Sequence, residues 1–100
     1  MRDDRRLYMV CYDISDDARR RLIYKALRGY GEHLQYSVFR CVLNRRRLAE
    51  LRGLIEEIAM PSADQVIFVP LGLAESADSW RVLTIGRPVP LPERIARIIG

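Results

Sequence analysis

Asp13 is the residue of this chain with the clearest chemical potential, because an unbroken apolar run, Leu7 to Tyr12, ends on it. A carboxylate at the carboxyl end of a buried strand is held by a rigid sheet. The residues that follow, Ile14 to Arg21, lead through a short polar turn into an arginine-studded helix. Such a site, beside a helix amino terminus, suits a metal ion or a phosphate. As a functional group Asp13 would bind a hard cation such as magnesium, which prefers carboxylate oxygen and keeps several waters. Such an ion polarises a phosphodiester and lowers the pKa of a bound water. One carboxylate is a weak ligand set, and a homodimer with Asp13 near its twofold axis would supply two. The competing reading makes Asp13 a cap for the turn before the first helix, bonded to backbone near Ser15.

The other candidates surround this one. Two of Arg19, Arg20 and Arg21 could reach phosphate near Asp13, since three consecutive helical residues do not share one face. Asp16 and Asp17 read as helix-start residues. Arg45, Arg46 and Arg47 open a second helix, where positive charge opposes the dipole; an anionic partner or an arginine-rich proteome would account for them. His33, the only histidine, could serve as acid or base, although Glu32 alone does not orient it. Tyr12, Tyr36 and Phe39 could stack on nucleobases, with core packing the default for each. No glycine-rich phosphate loop, serine elbow or histidine cluster is present.

Charge supports a polyanionic partner. Sixteen of the seventeen basic residues are arginine, which suits bidentate phosphate contacts. Residues 1–52 carry thirteen basic and seven acidic groups, against four and six in residues 53–100. The basic half is the half that contains Asp13. No apolar run approaches the ~20 residues needed to span a bilayer, and nothing behind the opening MRDDRR resembles a signal peptide. The chain is read as soluble and cytoplasmic. Cys11 and Cys41 are expected as buried thiols rather than a zinc site.

The elements that must position these groups follow from the pattern. Leu7–Tyr12 is apolar on both faces and reads as a central strand. Ser15 is the expected N-cap of a first helix that Gly29 and Gly31 stop. His33–Leu43 reads as an inner extended segment, either one strand or a pair split by a bulge near Ser37. Asn44 caps the second helix, with Leu48, Leu51, Leu54, Ile55 and Ile58 on its core face. Gln65–Leu71 is the next strand, with Pro70 at a strand end or sheet edge. A polar connection over 74–79 precedes a last strand, Trp80–Ile85. An extended segment over 88–92 and a short amphipathic tail over 93–99 close the chain. One domain, residues 1–100, is expected, with its core over about 6–86 and an extension over 87–100. The fold class is α+β: a ferredoxin-like sandwich of two helices on one face of an antiparallel sheet. Its other face needs a cover, and a second copy of the chain is the simplest one.

Taken together, YDISDDARRR (12–21), GYGEHLQYSVFRCVL (29–43), LAELRGLIEEI (48–58), QVIFVPLG (65–72) and VLTIG (82–86) resemble CRISPR-associated protein two. This is the small nuclease-fold partner of the CRISPR integrase in spacer acquisition, and the resemblance spans residues 8–86. It implies a homodimer whose carboxy-terminal segment adds a strand to the partner subunit. It implies magnesium at Asp13, with Tyr12 beside it, for cleavage of RNA or DNA phosphodiesters. The first-helix arginines of the family fall on Arg19 and Arg21, with Arg20 one register away, and its serine and phenylalanine fall on Ser37 and Phe39. Where some members carry an arginine this chain has His33. Family members also bridge two integrase dimers and bind duplex DNA, a scaffolding role separable from cleavage of single-stranded RNA or of DNA. A toxin-type ribonuclease of similar fold and a small-ligand regulatory module are the alternative classes.

Overall fold

The computed structural model describes residues 4–74 and 82–88. Six elements follow in the order β1 (Arg6–Asp13), α1 (Asp17–Arg28), β2 (Gly31–Gln35), β3 (Val38–Leu43), α2 (Arg45–Ile58) and β4 (Gln65–Leu73). The strands form one sheet in the order β2-β3-β1-β4, with every neighbouring pair antiparallel. This βαββαβ order with β1 and β3 central is the ferredoxin-like arrangement.

The inner position of β1 explains why its sequence is apolar throughout. Val10 and Tyr12 join Phe39, Cys41 and Leu43 of β3 beneath Ile23 and Leu27 of α1 and Leu51 and Ile55 of α2, forming the core. Met9, Cys11, Val38, Ile67 and Val69 alternate onto the opposite face, where Ile67 and Val69 stay exposed. Met9 and Val38 of that face, with residues 33–36, 82–85, 87 and 88, line a groove of about 730 Å3. Cys11 and Cys41 are both free thiols, on neighbouring strands but opposite faces. Burial, with Glu32 nearby, pushes the Cys41 thiol up to about 12, so it is an inert packing residue.

Three expectations change in detail. Asp16, not Ser15, caps α1: its carboxylate accepts from the Arg19 backbone N–H at 2.9 Å. The extended stretch 33–43 is a hairpin rather than a bulged strand, because the chain reverses at Tyr36 and Ser37 and β2 pairs back onto β3. Close pairing there requires Gly31, where a Cβ would collide with Cys41 Sγ and lie 2.5 Å from the Arg40 carbonyl. Val82–Ile85 joins no strand, and Leu83 and Ile85 are almost wholly exposed. An extended segment becomes a strand only against a free edge, and among the described residues this one pairs with none. The expected connection over 75–79, Trp80 and Arg81, and the terminal segment beyond Pro88 lie outside the described residues.

Pro70 meets its expectation. It sits on the edge strand β4 opposite Tyr8, at a register shift between Leu7 and Tyr8, the kind of position where a proline is tolerated in a sheet. Asn44 caps α2 as expected, its side chain accepting from the Arg47 N–H at 2.8 Å. No helix among the described residues is long and apolar enough to cross a membrane.

Candidate functional site

Asp13 is the last residue of β1, and its side chain is exposed at the rim of a cleft of about 500 Å3. Tyr12, Asp17, Arg20, Arg21, Tyr36 and Ser37 are among the residues that line it. Three elements meet here: the end of β1, the first turns of α1 and the tip of the β2–β3 hairpin. The Tyr12 N–H donates to the Ser37 carbonyl at 3.1 Å, which fastens the hairpin tip to the end of β1. The cap reading of Asp13 fails, because Asp16 takes that role and Asp13 makes no side-chain hydrogen bond or ion pair among the described residues.

The arginines divide into three roles. Arg20 folds back, donating to the Ile14 and Ser15 carbonyls at 3.1 and 3.2 Å and pairing with Asp17. It thereby fixes the turn directly after Asp13. Arg21 is exposed on the cleft and has no hydrogen-bond or ion-pair partner among the described residues. Arg19 points away from the cleft, and this departs from the expected phosphate contact. Its Nε and Nη2 hold Asp64 in a two-pronged pair at 2.7 and 3.1 Å, tying α1 to the loop that follows α2.

The Asp64 side chain is wholly shielded, and it also accepts from the Met60 N–H at 2.8 Å. The Arg19 bond, then the Met60 bond, hold its carboxyl below the ordinary 3.8. A depressed folded-state pKa adds stability above that ordinary value and loses it as pH falls through the lower one. Asp64→Asn is therefore expected to lower the thermal midpoint at neutral pH, with the gap to wild type closing below about pH 3.8. Unfolding followed by circular dichroism across that range checks this. Glu56→Gln, which touches only the exposed Arg52–Glu56 pair, is expected to change little.

The aromatic candidates separate by depth. Phe39 is completely buried, with ring contacts to Tyr12, Tyr24 and His33 at 6.4, 5.5 and 5.0 Å, so it supports the cleft from beneath. Tyr12 is nearly buried; burial first, then the neighbouring Tyr24, raise its pKa, and Arg20 opposes them. It therefore remains a neutral phenol, a hydrogen-bond donor, at physiological pH. Tyr36 is 85 % exposed. Its φ of 43° lies in the left-handed region, which costs a non-glycine residue roughly 1 kcal/mol or more. His33 offsets that cost: its Nε2–H donates to the Tyr36 carbonyl at 2.6 Å. Its ring packs on Tyr24 and Phe39 at 5.1 and 5.0 Å. The histidine is thus a structural anchor of the hairpin tip.

Arg47 is structural as well. It donates to the Gly29 carbonyl at 3.3 Å and lies over the Tyr30 ring at 4.3 Å, joining α2 to the end of α1. Arg46 pairs with Glu50 on the exposed surface.

Among the described residues no group of three histidine, cysteine or acidic side chains could hold a metal ion together. Among the described acids lining the cleft, Asp13 alone has both carboxylate oxygens unengaged, because Asp17 is paired with Arg20 through one of its own. Oxygen donors of that kind fit a hard cation that keeps most of its own waters, and a second copy of the same acid would complete the pair.

The fold and the cleft define a small ferredoxin-like protein with an acidic strand end beside an arginine-bearing helix start. Within that class, residues 6–78 match the family model described as CRISPR associated protein Cas2, and the chain belongs to the Cas2 family. It is 37% identical over 92 residues to the "CRISPR-associated endoribonuclease Cas2 1" of Rhodospirillum rubrum, covering 92% of this chain and 89% of that one. It is 39% identical over 89 residues to the "CRISPR-associated endonuclease Cas2 2" of Thermus thermophilus, covering 89% and 90%. The crystal structure of Streptococcus pyogenes Cas2 at pH 6.5 superposes with a TM-score of 0.69 at 26% identity, covering 80% of this chain and 99% of that one.

Proposed function

We propose that this chain is a metal-dependent endonuclease acting on RNA or DNA phosphodiesters as a homodimer. The observation that carries the reading is the exposed Asp13 carboxylate, unpartnered among the described residues, on a cleft shared with Arg20, Arg21 and Ser37. The names of the relatives, endoribonuclease in one case and endonuclease in the other, support the same reaction class.

Asp13 from each of two copies would hold magnesium, which when bound supplies charge neutralisation at the phosphate and a more acidic water. The guanidinium of Arg21 is free to bind a phosphate oxygen. Arg20 keeps the turn after Asp13 in place, and the Tyr12 hydroxyl donates a hydrogen bond that orients the phosphate. Arg19 has no part in this, because Asp64 occupies it. The exposed apolar side chains Ile67 and Val69 on the free sheet face support dimer formation.

In the cell the same dimer would serve spacer acquisition, bridging copies of the CRISPR integrase and binding duplex DNA through its basic half. Failure to co-precipitate with that integrase at physiological salt would overturn the bridging role.

The nuclease reading is tested by incubating the purified protein with labelled single-stranded RNA and duplex DNA, with magnesium or with EDTA. Cleavage of at least one substrate is expected with magnesium, its loss in EDTA, and its return when magnesium is restored. Intact substrates under all three conditions would overturn it.

A further inference from the structure

We infer that Tyr36 is a stacking platform for an unpaired nucleobase, and that it biases the cleft toward single-stranded nucleic acid. This rests on the reading of the cleft as a nucleic-acid site and adds what the site selects. Of the three aromatic candidates near Asp13, two are withdrawn from solvent: Phe39 is 0% exposed and Tyr12 7%. Of these three, Tyr36 alone offers its ring to solvent, at 85% exposure, while lining the same cleft as Asp13, Arg21 and Ser37; Tyr24, also on the cleft, is only partly exposed and packs on Phe39 and His33.

The backbone around Tyr36 is built rather than loose. A left-handed conformation at a turn favours glycine or asparagine, and this chain places a bulky aromatic there. The His33 hydrogen bond to the Tyr36 carbonyl and the Tyr12 N–H bond to the Ser37 carbonyl fix the turn on both sides. An exposed ring on a fixed turn loses little conformational freedom on binding. Aromatic rings of this kind take any base, since every base has a π-face, but only one that has left its duplex stack. A phosphate bound by Arg21 would leave the adjoining base free to reach the Tyr36 ring.

The test compares Tyr36→Asn, Tyr36→Phe and wild type by fluorescence anisotropy in EDTA. The probes are a labelled single-stranded oligoribonucleotide without secondary structure and the same strand annealed to its complement. Asparagine tolerates the left-handed backbone, so Tyr36→Asn removes the ring and keeps the turn. Its single-strand affinity is expected to fall on the order of 10-fold, with duplex affinity unchanged, and Tyr36→Phe is expected to retain wild-type binding. Equal single-strand affinity in Tyr36→Asn and wild type, or an equal loss on both probes, overturns the stacking role and leaves the nuclease reading standing. Absence of binding to either probe by the wild-type protein overturns both.

Discussion

Replacing Asp13 with asparagine is expected to reduce metal-dependent cleavage by at least about 100-fold, since even a residue that only orients a metal ligand is worth roughly 10–100-fold. The fold should not register the change. The Asp13 side chain is exposed and makes no hydrogen bond or ion pair among the described residues. Surface substitutions of that kind shift stability by about 0.5 kcal/mol or less. Asparagine matches aspartate in size and differs in charge, so the comparison isolates the carboxylate. A second readout separates loss of a metal ligand from loss of substrate binding. In EDTA, removing a negative charge from a cleft that also carries Arg20 and Arg21 should leave single-strand affinity equal or slightly higher. Undiminished cleavage by Asp13→Asn, at matched thermal midpoint, would mean that the acid has no part in the reaction.

What could be read from the chain alone was whatever depends on local pattern. Asn44 was legible as a cap because an apolar helical stripe begins four residues later and no rival cap stands beside it. Ser15 was not, because Ser15, Asp16 and Asp17 are three successive residues that could cap and only geometry chooses among them. The choice of Asp16 makes Asp17 the first residue of the helix, where it pairs with Arg20 and lines the cleft. The hairpin tip was half legible. Alternation breaks near Ser37, but Tyr36 and Ser37 carry none of the glycine or asparagine that usually marks a two-residue reversal. The side-chain parity therefore changes across the turn without a local signal, and Gln35 comes to lie opposite Val38.

The Arg19–Asp64 pair is the feature of the site least legible in the sequence. Asp64 lies forty-five residues from Arg19 in a loop, and nothing in either segment announces the pairing. A cluster of three arginines looks alike whether one of them binds phosphate or an internal acid. The expected last strand departs from the structure for a different reason. Val82–Ile85 has the composition of a strand, but composition does not say whose edge it pairs with, and strand pairing is a property of the assembly.

Phe39→Ala is expected to be the most destabilising of the substitutions considered, by about 3–5 kcal/mol. Phe39 is among the largest fully buried side chains and sits on β3 at the centre of the sheet. Its ring touches those of Tyr12, Tyr24 and His33, so truncation removes the shared neighbour of all three. For a small domain whose total stability is typically about 5–15 kcal/mol, the loss is a large fraction. In urea the midpoint should fall while the slope stays that of wild type, and Phe39→Leu should fall less because it leaves a smaller cavity. Cleavage should weaken in proportion to the unfolded fraction and recover under conditions where the variant is fully folded. That pattern is the reverse of the one expected for Tyr36→Asn, which should keep its midpoint and lose single-strand affinity. A fully folded Phe39→Ala with the binding defect of Tyr36→Asn would mean that the buried ring emerges to meet the ligand, and the division between supporting and contacting aromatics would fail.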